Sequence, residues 1–343
     1  MNKVRAFLKR KNIEISTKRY LITALSYMTY GLFSSLIIGS ILNQIGLKLD
    51  IPLLYETIWP VARAMTGPAI AVAIAYGLEA PPLVIFSSTL TGAVGASLGG
   101  PVGAFVAAVI GTEFGKMVSK ETRVDILVTP SVTIITGCLI GYLVGAPINA
   151  FMTGFGQMIV SATELHTLPM SIIVSVLMGM ALTLPISSAA IGIMLGLNGL
   201  AAGAATAGCA AQMIGFAVIS YKENGWSGIF SQGLGTSMLQ MPNIVRNWRI
   251  WIPATLASAI TGPIATIIFK MENTAIGSGM GTSGLVGQFG TIEAMEAVGY
   301  TGGSIYAPII IVHFILPMGL TLAFAYILRQ IGWIKENDLK LEL

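Results

Sequence analysis

Long stretches without a single Asp, Glu, Lys or Arg are the feature that most limits what this chain can become. The largest run from Tyr20 to Leu47, Ala80 to Thr112, Ile126 to Thr163, Leu165 to Tyr221, Asn224 to Val245, Ile250 to Phe269 and Ala297 to Leu328. Because ~20 apolar residues at ~1.5 Å rise cross a ~30 Å hydrocarbon core, these windows hold roughly nine or ten spans. Of the 343 residues, 54% are hydrophobic and 10% charged, which excludes a soluble protein. A mean hydropathy of +0.80 over the whole chain excludes a soluble domain on one tether. The runs are solidly apolar rather than alternating, which excludes an outer-membrane barrel. The class is an all-α polytopic integral membrane protein.

Charge sets the expected orientation. Seven of the 19 Lys and Arg lie in the first 19 residues: Lys3, Arg5, Lys9, Arg10, Lys11, Lys18 and Arg19. The positive-inside rule puts this end in the cytoplasm, and Val4, Phe7, Leu8, Ile13 and Ile15 among the charges suit an amphipathic segment held by anionic lipid. The apolar run behind it is too long for a cleaved signal peptide. Nucleic-acid binding is the weaker reading of the basic cluster. Lys116, Lys120 and Arg123 mark a second cytoplasmic loop, and Arg329, Lys335 and Lys340 place the C-terminus inside, so the number of spans is even. The expected organisation is a basic segment 1–19, one transmembrane domain 20–328 and a cytoplasmic tail 329–343, in a cytoplasmic membrane. Cys138 and Cys209 read as small buried hydrophobes rather than a disulfide or metal pair. No nucleotide loop, zinc motif or nucleophile elbow is present, so neither a metal, a cofactor nor enzymatic chemistry is expected.

Two internal repeats point to related halves. Trp59-Pro60 leading to Thr66-Gly67-Pro68 is echoed by Trp251-Ile252-Pro253 leading to Thr261-Gly262-Pro263, and Gly233-Leu234-Gly235-Thr236-Ser237 by Gly279-Met280-Gly281-Thr282-Ser283. Transporters built from related halves carry their substrate site where interrupted helices meet near the bilayer midplane. The glycine density of 276–290 disfavours a straight helix and predicts a re-entrant hairpin. For Gly92 to Gly103 the small-residue pattern predicts close helix packing instead.

Between Glu272 and Arg329 only Glu293 and Glu296 carry charge. A carboxylate inside a span costs at least ~2.5 kcal/mol. Spaced i, i+3 just after the glycine-rich segment, the two are candidate ligands for hydroxyl groups or carriers of a coupling proton. His313 is a candidate proton or ion carrier, with a hydrogen-bonded packing residue as its plainer reading.

Gly92 to Gly115 (GAVGASLGGPVGAFVAAVIGTEFG), Val128 to Met152 with its Gly145-Ala146-Pro147-Ile148 turn, and Gly290-Thr291-Ile292-Glu293 together resemble the membrane-spanning IIC component of the bacterial sugar phosphotransferase system. The resemblance is to its fructose-type branch and the perfringolysin-regulator group. The last tetrapeptide is similar to the family's Gly-Ile-Thr-Glu motif, whose glutamate contacts sugar, with the middle residues exchanged. The resemblance implies a homodimer of about ten spans with re-entrant hairpins, importing a sugar that a separate IIB protein, supplied by IIA, phosphorylates. Leu182-Thr183-Leu184-Pro185-Ile186-Ser187-Ser188 stands where the fructose branch has Asp-Met-Gly-Gly-Pro, so that branch's sugar does not carry over.

The expected activity is a permease for a sugar or similar polyhydroxylated solute, with Glu293 as central ligand. Glu296, Thr236, Ser237, Asn243, Thr282, Ser283 and Gln288 are expected to complete the site. Two alternatives share the fold: a non-transporting sensor of the perfringolysin-regulator type, and an ion-coupled secondary transporter independent of phosphorylation.

Overall fold

A computed structural model describes residues 2–341. The side chains of Lys3 and Val4 and the last two residues of the expected tail lie outside the described residues. The chain is 82% helix, and its one pairing of extended backbone among the described residues is an isolated bridge between Gly199 and Asn273. Among the described residues six helices are long and apolar enough to cross a membrane, or seven if the pair Leu53–Ala64 and Thr66–Gly77, bent by 49°, is one span. Contacts cluster into two units, Met1–Phe151 and Met152–Leu343. Their boundary falls within the expected 20–328 domain, inside the 39-residue helix Asp125–Thr163. That helix runs on through Pro147, where a turn was expected; Pro is tolerated in membrane helices when neighbouring groups satisfy the freed carbonyl.

In the first unit, the element Pro82–Val118 is two helical arms rather than one. Gly99 (φ −140°, ψ 20°) and Gly100 (φ 59°, ψ −154°) leave helical geometry, and a Cβ added at Gly103 would collide with the carbonyl of Gly95. Eight residues apart in a straight helix, these two would be separated by about 12 Å. The chain therefore reverses at Gly99–Gly100. The close packing expected for Gly92–Gly103 is present, but as the seam of a hairpin. Gly100 adopts a positive φ that favours glycine, and Pro101 starts the return arm without a missing donor. Gly92 in turn meets Gly67 of Thr66–Gly77 backbone to backbone.

The N-terminal helix Asn2–Arg10 is clamped within this unit. Arg10 pairs with Glu121 at 2.8 Å and Lys11 at 2.5 Å, and the Asn12 amide donates to Glu79. The Lys11 hydrogen bond, more than the two positive charges, holds the Glu121 carboxyl below the usual range. Beneath it lies Lys116, 2% exposed, donating to the carbonyls of Asn12 (2.7 Å) and Leu78 (2.9 Å) and pairing with Glu113 at 3.2 Å. The basic segment is thus tied to the ends of the helices that follow it.

The second unit is built around Gly199–Ile219, GLAAGAATAGCAAQMIGFAVI, which is almost wholly buried. Small side chains let three neighbours approach its backbone: Gly203 abuts the Met271 carbonyl, Gly208 the Ser175 carbonyl, and Gly215 the side chain of Thr321. The helices around it include Thr167–Thr183, Trp248–Ile268 and Gly303–Gln330.

Candidate functional site

Three interruptions of the helical chain meet inside the second unit. The first follows Thr183, where Pro185 lacks the N–H needed to continue and a new helix starts at Ser188, its N-cap Ser187 accepting from the Ala190 N–H at 3.2 Å. The second covers residues 231–251. There a wide π turn, Ser231–Gly235, gives way to extended Thr236 (φ −160°, ψ 141°), whose hydroxyl accepts from the Met238 N–H at 3.2 Å. The third covers residues 279–285, where Gly281, Gly284 and even Leu285 take positive φ (52°, 54° and 58°). It separates the short helix Ala275–Ser278 from Val286–Ala297, and Gly290 lies against Gly277, so the chain doubles back here.

Side chains sew the interruptions together. Thr183 Oγ1 lies 2.8 Å from Ser237 Oγ, Ser188 Oγ donates to the Gly279 carbonyl at 2.6 Å, and Thr282 Oγ1 donates to the Gly233 carbonyl at 2.5 Å. The Leu182–Ser188 stretch therefore touches both Gly-x-Gly-Thr-Ser copies, and the copies touch each other. From the central helix, Gln212 Oε1 accepts from Thr183 (3.2 Å) and Trp251 Nε1 (2.9 Å) while Nε2 donates to Thr255 (3.2 Å). Asn273 closes the hairpin: its Nδ2 reaches Thr206 Oγ1 (2.6 Å), the Gly287 carbonyl (2.9 Å) and Thr291 Oγ1 (3.0 Å), and its Oδ1 accepts from the Thr274 N–H (2.7 Å).

Of the residues expected from sequence, Thr236, Ser237, Thr282, Ser283, Gln288 and Asn243 are all buried. Gln288 Nε2 meets Nδ1 of His313 at 3.1 Å, and His313 is itself carried on a π turn, Ile311–Ile315. Three buried polar atoms here have no partner: Ser283 Oγ, Gln288 Oε1 and His313 Nε2. Asn243 is engaged elsewhere, its Nδ2 donating to Gln240 Oε1 (2.8 Å) and to the Lys340 carbonyl (2.9 Å). Glu293 and Glu296 are exposed. At ~100° per residue, Glu293 falls about 140° round the helix from Gln288, away from the buried face that carries Thr291 and Met295. His166 is exposed at the start of Thr167–Thr183.

Thr183, Ser188, Gln212 and Asn273 were missed by sequence reasoning. The proline-broken Leu182–Ser188 stretch was a usable signal for the first two; an isolated Gln or Asn in an apolar run was the only one for the others. The assembled groups are neutral hydroxyls, amides and one imidazole, with carbonyls freed at helix ends. Such a set of groups can both donate and accept hydrogen bonds. Among the described residues no cluster of three or more His, Cys, Asp or Glu could hold a metal.

In comparison with known families, the one described as "Phosphotransferase system, EIIC" matches residues 22–341. No curated protein and no solved structure matches the chain.

Proposed function

We propose that this chain, which belongs to the phosphotransferase-system EIIC family, imports a sugar or similar polyhydroxylated solute that a separate IIB protein phosphorylates. At the coarser level it is a phosphotransferase-system permease-type component and a multi-pass membrane protein. The observation that carries the finer reading is the meeting of three helix interruptions at Thr183, Ser188 and the two Gly-x-Gly-Thr-Ser turns, beside the unpartnered Ser283, Gln288 and His313 atoms. Buried polar atoms are ordinarily satisfied. A ring of hydroxyls arriving from solution supplies both donors and acceptors for these three. In this reading Ser283, Gln288, Thr236, Ser237 and Thr282 contact or support the solute. Asn243, bonded to Gln240 and to the Lys340 carbonyl, holds the turn, and the role expected of Glu293 and Glu296, exposed and on the other side of their helix from Gln288, is tested separately through Glu293→Gln.

The same proposal includes a homodimer of about ten spans in two related halves, with both ends cytoplasmic and the N-terminal segment against anionic lipid. The bent pair, the second arm of Pro82–Val118 and the apolar helix Thr167–Thr183 add crossings to the six long helices, which brings the number toward that count. A second reading, ion coupling through His313 or Glu296, is favoured by the unpartnered ring nitrogen of His313.

A thermal-shift screen in detergent against sugars, sugar alcohols, nucleosides and Na⁺ tests both. A ligand at 100 times its Kd adds about 2.7 kcal/mol to the folded state. The solute reading expects one polyhydroxylated compound to stabilise the wild type and to lose that effect in Ser283→Ala; the same loss in Glu293→Gln adds that carboxylate to the site, and an unchanged response removes it. Stabilisation by Na⁺ alone, removed by His313→Gln, supports the ion reading and defeats the first.

A further inference from the structure

The C-terminal segment forms no regular helix, yet it is anchored in the second unit. Leu339, 0% exposed, and Ile334, 2%, pack with Phe216, Ile219, Ile244 and Ile250, and Leu341 is buried beside them in sequence at 8%. Asn224 holds it by a pair of bonds, Nδ2 to the Leu339 carbonyl and Oδ1 from the Leu341 N–H, both 2.8 Å. Asn247 binds Asp338 at 2.7 Å, and Arg329 pairs with Glu223 at 2.9 Å at the segment's root. Between the anchors, Lys335, Glu336, Asn337 and Lys340 are exposed. A segment held by a few side chains and a handful of bonds belongs to the low-stability end of a fold, where local release precedes global unfolding.

What it is tied to matters more than how tightly. Gln232, in the π turn Ser231–Gly235 and next to the first Gly-x-Gly-Thr-Ser copy, donates to Ser220 Oγ (2.8 Å) and the Gly228 carbonyl (3.0 Å) and accepts from Gln240 (2.9 Å). Gln240 donates its second hydrogen to the Leu339 carbonyl (3.0 Å) and accepts from Asn243, which donates its second hydrogen to the Lys340 carbonyl (2.9 Å). Every amide hydrogen in this buried chain of three is used, and two of the six end on the tail. Removing the tail strands two buried donors, so the chain must reorient or open.

We propose that residues 333–341 are a releasable strap whose docking, through Asn243, Gln240 and Gln232, holds the Gly233–Ser237 turn in place. The strap sets whether the turn that meets Thr282 is rigid or free to move; that this governs solute access rests on the reading of the turn as part of a solute site.

Hydrogen exchange on the full chain in detergent tests the strap without any solute, so its outcome is independent of the thermal-shift screen. Leu339→Asp drives the tail out, and Asn224→Ala, which removes only the tail's paired bonds, decides the matter if the first variant does not fold. The expected result is at least tenfold faster exchange of both 334–341 and 231–243, with 199–219 and 286–297 unchanged. Any other pattern overturns the proposal: a tail that loosens alone, a unit that loosens throughout, or neither segment responding.

Discussion

Replacing Asn273 by Ala isolates what holds the 275–297 hairpin closed. Its side chain, 1% exposed, joins the central helix at Thr206, the second arm at Gly287 and Thr291, and its own turn at Thr274. Two amide hydrogens and one acceptor disappear together, and their partners remain buried. At about 1 kcal/mol for each of three hydrogen bonds, the loss is roughly 3 kcal/mol. For a unit of this size, at ~2–4 °C per kcal/mol, Tm falls by roughly 6–12 °C. The assay is built in: Cys209 is 0% exposed, and its thiol lies 3.7 Å from the carbonyl of Ser278 in the hairpin. In a Cys138→Ser background, a thiol-reactive dye reports the opening of that packing. Gly290→Ala supplies a check from the other side, because a Cβ there would strike Asn273 Oδ1. It should be costly alone and cheaper with Asn273→Ala, since the nearest atom it strikes is gone while Thr274 Oγ1 and the Gly277 Cα stay close. A Tm within about 1 °C of wild type for Asn273→Ala, or strictly additive effects of the pair, would refute the idea that this amide is the clasp.

The other predictions follow the same geometry. Gly103→Ala should abolish folded protein in a size-exclusion assay, because the new methyl meets the Gly95 carbonyl at the hairpin seam; Gly154→Ala, with nothing within 4 Å of the added atom, should fold normally and gain up to about 1 kcal/mol of helix propensity. Lys116→Met should destabilise the first unit by leaving Glu113 only the Tyr20 hydroxyl at 3.2 Å and Arg19 at 3.9 Å, at a cost below the roughly 3–5 kcal/mol of a fully stranded buried charge, and Glu113→Gln in the same chain should recover part of it; equal Tm values for single and double variants would contradict this. The N-terminal clamp should depend on acid pH. The Glu121 carboxyl is depressed chiefly by its Lys11 hydrogen bond, so the clamp's contribution is present above the ordinary carboxylate pKa and is lost as pH falls through the lowered value. A spin label at residue 9 should be ordered at pH 7 and mobile near pH 3, and mobile at both in Glu121→Gln; a label indifferent to pH counts against the clamp.

Sequence alone determined the solvent and the material of this protein: uncharged windows longer than a bilayer admit only lipid-embedded helices, and a glycine-dense stretch at 276–290 admits only a broken one. The family resemblance was also legible, because it rests on contiguous motifs, and the match over residues 22–341 agrees with it. The Gly-x-Gly-Thr-Ser repeat was visible as a pattern. That its two copies touch, with Thr183 and Ser188 bridging them, was decided by the packing of helices around Gly199–Ile219. Tertiary structure likewise reversed the chain at Gly99–Gly100, turned Glu293 away from Gln288, and gave the hydrogens of Asn243 to Gln240 and the tail. Hydropathy and glycine content act locally and can be read along one dimension. A hydroxyl or amide takes whichever acceptor the fold brings within 3 Å, and that choice exists only once residues distant in sequence have been packed together.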